Sequence, residues 1–130
     1  MTVQFAGAMA PSQSLAVSDR LEAFCATAEF DRPTLVIDVD RVEAQYHALK
    51  LGLGHADIHY AVKANPHPAI LRRLAQLGAH FDAASRGEIE MCFAQGAQPH
   101  QISYGNTIKR VAYIAWAHQA GITLFAADAE

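Results

Sequence analysis

Two hydrophobic periods alternate along this chain. From Asp19 to Ala28 the apolar residues Leu21, Phe24, Cys25 and Ala28 recur at helical spacing behind Ser18 or Asp19 as cap. Arg32-Pro33 breaks that pattern, and Thr34-Leu35-Val36-Ile37-Asp38-Val39, short and β-branched, predicts a strand. Asp40 is then expected to cap a helix from about Arg41 to Leu51, with Val42, Tyr46 and Leu49 inward and Gly52 and Gly54 ending it. The residues before Asp19, rich in Ala, Ser, Gln and Gly, read as a loose leader.

A repeat follows. Ile58–Val62 predicts a strand, and Pro68–Leu77 a helix closed by Gly78. His80–Ala84 predicts a strand, and Gly87–Gln95 a helix closed by Gly96. Ile102–Tyr104 predicts a strand, Ile108–Ala120 a helix closed by Gly121, and Thr123–Ala126 a last strand. The strands begin at Ile58, His80, Ile102 and Thr123, spacings of 22, 22 and 21 residues. Strand and helix alternating at even intervals means βα units on a parallel sheet, and the evenness favours a barrel of equal staves over an open sheet. The fold class is therefore α/β, the N-terminal part of a (β/α)8 TIM barrel, with about four staves present. A closed barrel takes about 250 residues, and this chain has 130. It is expected to be the front of a longer protein.

Composition supports a packed domain: 52% of residues are apolar and 18% charged. A net charge of −3, from 10 basic and 13 acidic residues, does not indicate a basic nucleic-acid surface, though it leaves room for a local patch. No apolar run approaches the roughly 18 residues of a membrane span, and with no basic residue before Arg20 and no sustained apolar stretch ahead of it, a secretory signal is not expected. Cys25 and Cys92 lie far apart without a C-x-x-C pair, which fits a reducing cytoplasm. Cys92, inside an apolar helix, reads as core packing, and Met9, Met91 and Trp116 as leader or core. Arg72-Arg73 reads as a solvated helix face. His55 and His59 straddle a loop and a strand and share no helix face, so no metal site is expected. The glycines never form G-x-G-x-x-G, which leaves a dinucleotide fold as the lesser alternative.

Barrel chemistry sits at the C-terminal ends of the strands. There the staves place Lys63, then Asp82, Ser85 and Glu88, then Asn106 and Lys109, then Asp128. Polar strand ends also follow simply from reaching the surface. Lys63 adds more. A lysine behind an apolar strand is expected at the barrel mouth, partly desolvated, and a desolvated lysine more readily offers the free amine that imine formation requires. The alternative is a lysine that snorkels to solvent. Ala61 and Ala64 leave room beside it for something flat.

The stretch Tyr60-Ala61-Val62-Lys63-Ala64-Asn65-Pro66 resembles the signature of the group IV, fold type III pyridoxal-phosphate decarboxylases, whose barrel is alanine-racemase-like. The likeness continues through Phe81–Ile89, Ile102–Lys109 and Leu124–Asp128, in order and in spacing. It is nearest to ornithine decarboxylases and to bacterial enzymes that also take lysine. The Tyr-Gly-His-Gly stretch usual in the related racemases is absent. The resemblance implies a catalytic set of Lys63, Asp82 and Glu88. Lys63 would hold the aldehyde of pyridoxal 5'-phosphate, Ala61 would lie beside the cofactor ring, and the two carboxylates would hold the lysine ammonium once substrate displaces it. Glu88 is equally explained as a first-turn acid favoured by the helix dipole, and Ser85 as a helix cap. Asp82, an acid inside an apolar strand, needs a partner.

The implied reaction is decarboxylation of a basic amino acid, most simply ornithine to putrescine in polyamine biosynthesis, by a homodimer without nucleic-acid or membrane partners. The phosphate loop, the acid facing the pyridine nitrogen and the proton-donating cysteine of that family belong to later segments. The chain alone is thus expected to be inactive. The second reading is a non-catalytic short homologue that associates with a full-length subunit and modulates it. The organisation expected is leader and helix over 1–31, a strand-helix lead-in over 32–56, and the first staves of the cofactor barrel over 57–130.

Overall fold

The computed structural model describes residues 19–128. The proposed leader, Met9 and the capping role of Ser18 lie outside them. The chain divides into two compact units, with the boundary between Asp38 and Val39. In the first, α1 (Asp19–Thr27) is followed by an irregular segment. The Thr27 hydroxyl donates to the Ala23 carbonyl at 3.1 Å, and the rings of Phe24 and Phe30 meet edge-on at 6.2 Å.

The strand expected over Thr34–Val39 does not form; residues 33–38 carry no regular structure. β-branched residues favour an extended ladder only where a neighbouring strand takes up the backbone hydrogen bonds, and no ladder includes this segment among the described residues.

The second unit holds the repeat. It opens with α2 (Val39–Leu53), longer at both ends than expected: Asp40 lies in its first turn rather than capping it, and Gly52 is helical. Leu49 is half-exposed, not inward. The staves then run β1 (His59–Ala61), a 3-10 turn Val62–Ala64, α3 (Pro68–Gln76), β2 (His80–Ala83), α4 (Arg86–Ala94), a 3-10 turn Pro99–Gln101, β3 (Ile102–Tyr104), α5 (Val111–Gln119) and β4 (Leu124–Phe125). The four strands form one parallel sheet in sequence order, with Tyr60 opposite Phe81, Phe81 opposite Ile102 and Tyr104 opposite Phe125. This is the first part of an α/β barrel. α5 starts three residues later than expected, because Ile108, Lys109 and Arg110 still belong to the loop leaving β3.

The even spacing has a local cause. Each of α3, α4 and α5 ends in the same way, on Gly78, Gly96 and Gly121 at φ values of 78°, 96° and 93°. The next residue then donates its N–H back five positions: Ala79 to Leu74 at 3.0 Å, Ala97 to Cys92 at 3.1 Å and Ile122 to Ala117 at 3.0 Å. That is the Schellman closure, in which an apolar pair flanks the left-handed glycine. All six residues of the three pairs are buried. Each helix is thus stopped and turned back onto the sheet by one glycine and one apolar pair.

The core lies between the sheet and these helices. Phe81, Ala83, Ile102 and Tyr104 point to it from the strands, and Leu71, Leu74, Ile89 and Cys92 meet them from α3 and α4. Met91 is half-exposed rather than core. Trp116 lies under the Arg86 guanidinium at 4.4 Å. The Arg72-Arg73 pair is not simply solvated. Arg72 reaches Gln95 at 2.9 Å, and Arg73 pairs with Glu43 of α2, its Nε 2.9 Å from the carboxylate.

Cys92 is fully buried, and burial, with Glu88 adding to it, pushes its thiol up to about 12. Cys25 is exposed. Only the thiolate is reactive, so one thiol of the two is expected to react with an aromatic disulfide reagent in the native chain and both in denaturant. Rapid native labelling of two thiols would contradict this packing.

Candidate active site

Side chains alternate between the two faces of a strand. With Phe81, Ala83, Ile102 and Tyr104 turned to the helices, the opposite face carries Ala61, Asp82, Ser103 and Leu124, which are register partners across all four strands. His59 and His80 share it one step earlier. α3 and α4 pack on the other side; on this face Leu124 is exposed, Ala61 and Asp82 are half-buried and Ser103 is buried.

Lys63 sits at the C-terminal end of β1, in the 3-10 turn Val62–Ala64. Its neighbours explain how the turn is held. Val62 is fully buried and anchors it. The Tyr60 hydroxyl donates to the Asn65 carbonyl at 3.1 Å and closes the loop, while the side chain's partial burial raises its phenol above the usual range. Asn65 Oδ1 accepts from the His67 amide at 3.1 Å, and His67 Nδ1 caps α3 by accepting from the Ala69 amide at 3.2 Å, with Pro68 in the first turn. Tyr60, Asn65 and His67 are scaffold for the lysine turn, a role that sequence reasoning missed. The pattern polar-x-His-Pro before an apolar helix was the available signal.

The expected desolvation of Lys63 is not met: the residue is exposed. Shielding at a barrel mouth comes from strands closing all the way round, and four strands leave this face open. The chain has three lysines. Lys50 donates to the Ala56 carbonyl at 2.7 Å, and Lys109 donates to the Ala126 carbonyl at 2.5 Å while lying 5.1 Å from the Tyr104 ring. Lys63 alone has no hydrogen bond or ion pair to any of the described residues.

Asp82 is half-buried and finds its required partner in the Ser103 hydroxyl, 3.0 Å from Oδ1. Glu88 is used differently. Its Oε2 accepts from the Ala84 amide at 2.7 Å, while the Ser85 hydroxyl accepts from the Glu88 amide at 3.2 Å. Ser85 thus caps α4 and the Glu88 carboxylate reaches back to the residue before the cap, so both acidic residues are tied to protein groups, and the geometry links neither to Lys63. Asn106 Oδ1 accepts from the Ile108 amide at 3.2 Å and shapes the loop after β3. Asp128 sits in a bend at the end of the described residues.

At the opposite end of the sheet, the His59 and His80 rings meet at 4.9 Å, and those of His80 and His100 at 6.4 Å. Among the described residues no cluster of His, Cys, Asp or Glu is arranged to hold a metal ion, and no helix is long and apolar enough to cross a membrane. Burial lowers the His80 imidazole, with His59, His100 and Lys50 acting the same way and Asp57 opposing them. On α2, the hydrogen bond from Arg73 lowers the Glu43 carboxyl against its own burial.

Both shifts make acid destabilising. As pH falls through the ordinary histidine range, the unfolded chain gains a proton that folded His80 refuses; further down, the unfolded chain protonates Glu43 before the folded one does. Stability is therefore expected to fall from neutral pH in two stages, with Glu43→Gln flattening the lower one in pH-dependent urea melts. A stability independent of pH across both ranges would contradict these two contacts.

Residues 39–130 match the family described as pyridoxal-dependent decarboxylase, pyridoxal binding domain. The lysine/ornithine decarboxylase of Selenomonas ruminantium is 46% identical over 77 residues, covering 59% of this chain and 20% of that protein. The ornithine decarboxylase of Schizosaccharomyces pombe is 37% identical over 93 residues, covering 72% of this chain and 22% of that protein. Among solved structures, the lysine/ornithine decarboxylase of Vibrio vulnificus complexed with cadaverine superposes with a TM-score of 0.78 at 34% identity, over 88% of this chain and 32% of that one. The chain thus spans between a fifth and a third of the length of these relatives.

Proposed function

This chain belongs to the pyridoxal-dependent decarboxylases, through their pyridoxal-binding domain, and on that premise we propose that it supplies the cofactor lysine of an enzyme that decarboxylates a basic amino acid. The observation that carries the reading is Lys63: it is the one lysine of three whose amine is not engaged by any described residue, and it stands at the C-terminal end of the first strand. The surroundings fit a flat aldehyde-bearing ring. Ala61, two residues before the lysine, contributes only a methyl group.

When bound, pyridoxal phosphate supplies a conjugated sink for the electron pair left as the substrate carboxylate departs as carbon dioxide. The chain's own residues do the rest of what is assigned here. Lys63 Nζ would hold the cofactor at its aldehyde carbon, and when free of it would carry a proton as an ammonium. Asp82, on the face that adjoins the lysine turn, offers a carboxylate to that ammonium. Glu88 keeps the first turn of α4 in place through the Ala84 amide, and serves the site by positioning rather than by contact.

Ornithine is the favoured substrate and lysine the second, giving putrescine and cadaverine respectively. The Vibrio enzyme has been crystallised with each of these two amines. The working enzyme is taken to be a cytoplasmic homodimer, and the chain alone is expected to turn over nothing. The test is release of labelled carbon dioxide by the full-length protein with pyridoxal phosphate, offered ornithine, lysine, arginine and diaminopimelate in turn. Release from ornithine or lysine is expected. Release from none of the four, with cofactor bound, would overturn the assignment and favour a non-catalytic homologue.

A further inference from the structure

Asp82 is held by two features of the neighbouring stave that no described role accounts for. Ser103 stands opposite it in the β2–β3 register and points to the same face. The Ser103 hydroxyl is nearly buried and has three groups within reach: Asp82 Oδ1 at 3.0 Å, the Phe81 carbonyl at 3.2 Å and His59 Nδ1 at 3.4 Å. A hydroxyl has a single proton to give. The carboxylate is the nearest acceptor and the strongest of the three, so the proton goes to Asp82, and the oxygen's lone pairs are left for a proton on His59 Nδ1.

Gly105 is the second feature. Its φ is not positive, and its N–H makes an ordinary bond to the Ala83 carbonyl at 2.9 Å, so the backbone does not require glycine there. What requires it is Asp82. A Cβ at position 105 would lie 2.7 Å from Asp82 Cγ, 2.8 Å from Oδ2 and closer still to Oδ1. The carboxylate rests where a side chain would be.

We infer that Ser103 and Gly105 are positioning residues that lock Asp82 in one rotamer on the face of the sheet opposite α3 and α4, the serine by anchoring Oδ1 and the glycine by leaving the carboxylate its space. What the locked carboxylate acts on rests on the decarboxylase reading; the lock itself does not. A methyl at 105 displaces only the end of a flexible side chain, so Gly105→Ala is expected to fold and to lose the aim of Asp82 rather than the sheet.

The test reads the rotamer directly. In isotope-labelled chain, the three-bond couplings from Asp82 Cγ to its own backbone nitrogen and carbonyl carbon report χ1. One staggered well gives each coupling its trans or gauche limit, and exchange among wells moves them to intermediate values. Limiting values are expected in the parent chain, lost in Ser103→Ala and in Gly105→Ala, and restored in Ser103→Thr, with the amide spectrum of the rest of the sheet unchanged. Couplings already averaged in the parent, or unchanged in both variants, would overturn the proposal. Should Gly105→Ala disturb the sheet, the Ala and Thr variants at 103 decide alone.

In the full-length protein, reductive trapping of pyridoxal phosphate on Lys63 is expected to survive in both variants while kcat falls more than KM changes. Absence of trapping in the parent would sink the decarboxylase reading and leave the coupling result standing. Trapping with unresponsive couplings would do the reverse.

Discussion

Phe81→Ala is expected to destabilise the sheet unit by about 3–5 kcal/mol, the usual cost of emptying a buried phenylalanine site. Phe81 is fully buried, lies on β2 between two hydrogen-bonded neighbours, and stands opposite both Tyr60 and Ile102. A cavity there cannot be filled by collapse, because the strand is fixed on both edges and the facing helices are pinned by their glycine closures. Typical domains have only about 5–15 kcal/mol to lose, so the variant is expected to approach global unfolding at moderate urea. Phe125→Ala is the matched control. Phe125 is half-buried on the last strand, with one described neighbour, and its removal is expected to cost clearly less. Equal costs in urea melts would show that the core is not centred on β2.

The staves from Ile58 onward were legible because each one repeats the same local instruction. The left-handed glycines 78, 96 and 121, with their flanking apolar pairs, mark the helix ends in the sequence itself. Ile102–Tyr104 is observed as read, and the α3 and α4 boundaries shift by only one residue. The segment 34–39 was not legible. Its β-branched residues state a preference that only a partner strand can realise, and pairing is a tertiary fact. Gly52 misled for the related reason that a glycine near a helix end stops it only if the backbone turns left-handed there. That turn occurs at Gly54, with φ of 61°.

The site divides in the same way. The strand-end places of Lys63 and Asp82 and the capping role of Ser85 were legible in the sequence, whereas the chemical roles expected of the first two came from the family resemblance. The partner that Asp82 needed could be foreseen, but not its identity. Ser103 lies 21 residues away and is brought opposite only by the parallel register. Glu88 shows why a family role and a cap are hard to separate by sequence, since the first turn of a helix suits an acid in either case. The structure gives it the Ala84 amide. The exposure of Lys63 was not legible at all, because shielding depends on how many strands surround it rather than on what precedes it.

Lys63→Ala carries the largest functional effect. In the full-length enzyme the variant is expected to lower decarboxylation by at least roughly 10²–10⁴-fold, the range supplied by a single positioned proton-transfer group, and more because the covalent hold on the cofactor goes with it. Stability is expected to stay within about 0.5 kcal/mol, as for other exposed side chains, since Lys63 makes no hydrogen bond or ion pair with the described residues. Lys63→Arg is expected to fare no better, because a guanidinium stays protonated and cannot add to an aldehyde. Lys50→Ala is the control that removes a lysine held by the Ala56 carbonyl. It is expected to leave turnover intact.

The most direct measurement is to incubate the full-length protein with pyridoxal phosphate, reduce it with borohydride, digest it and locate the added cofactor mass. The mass is expected on the peptide containing Lys63, at one equivalent per chain, and on neither Lys50 nor Lys109. Labelling spread over the three lysines, or confined to a residue other than Lys63, would contradict the assignment of this turn as the cofactor site.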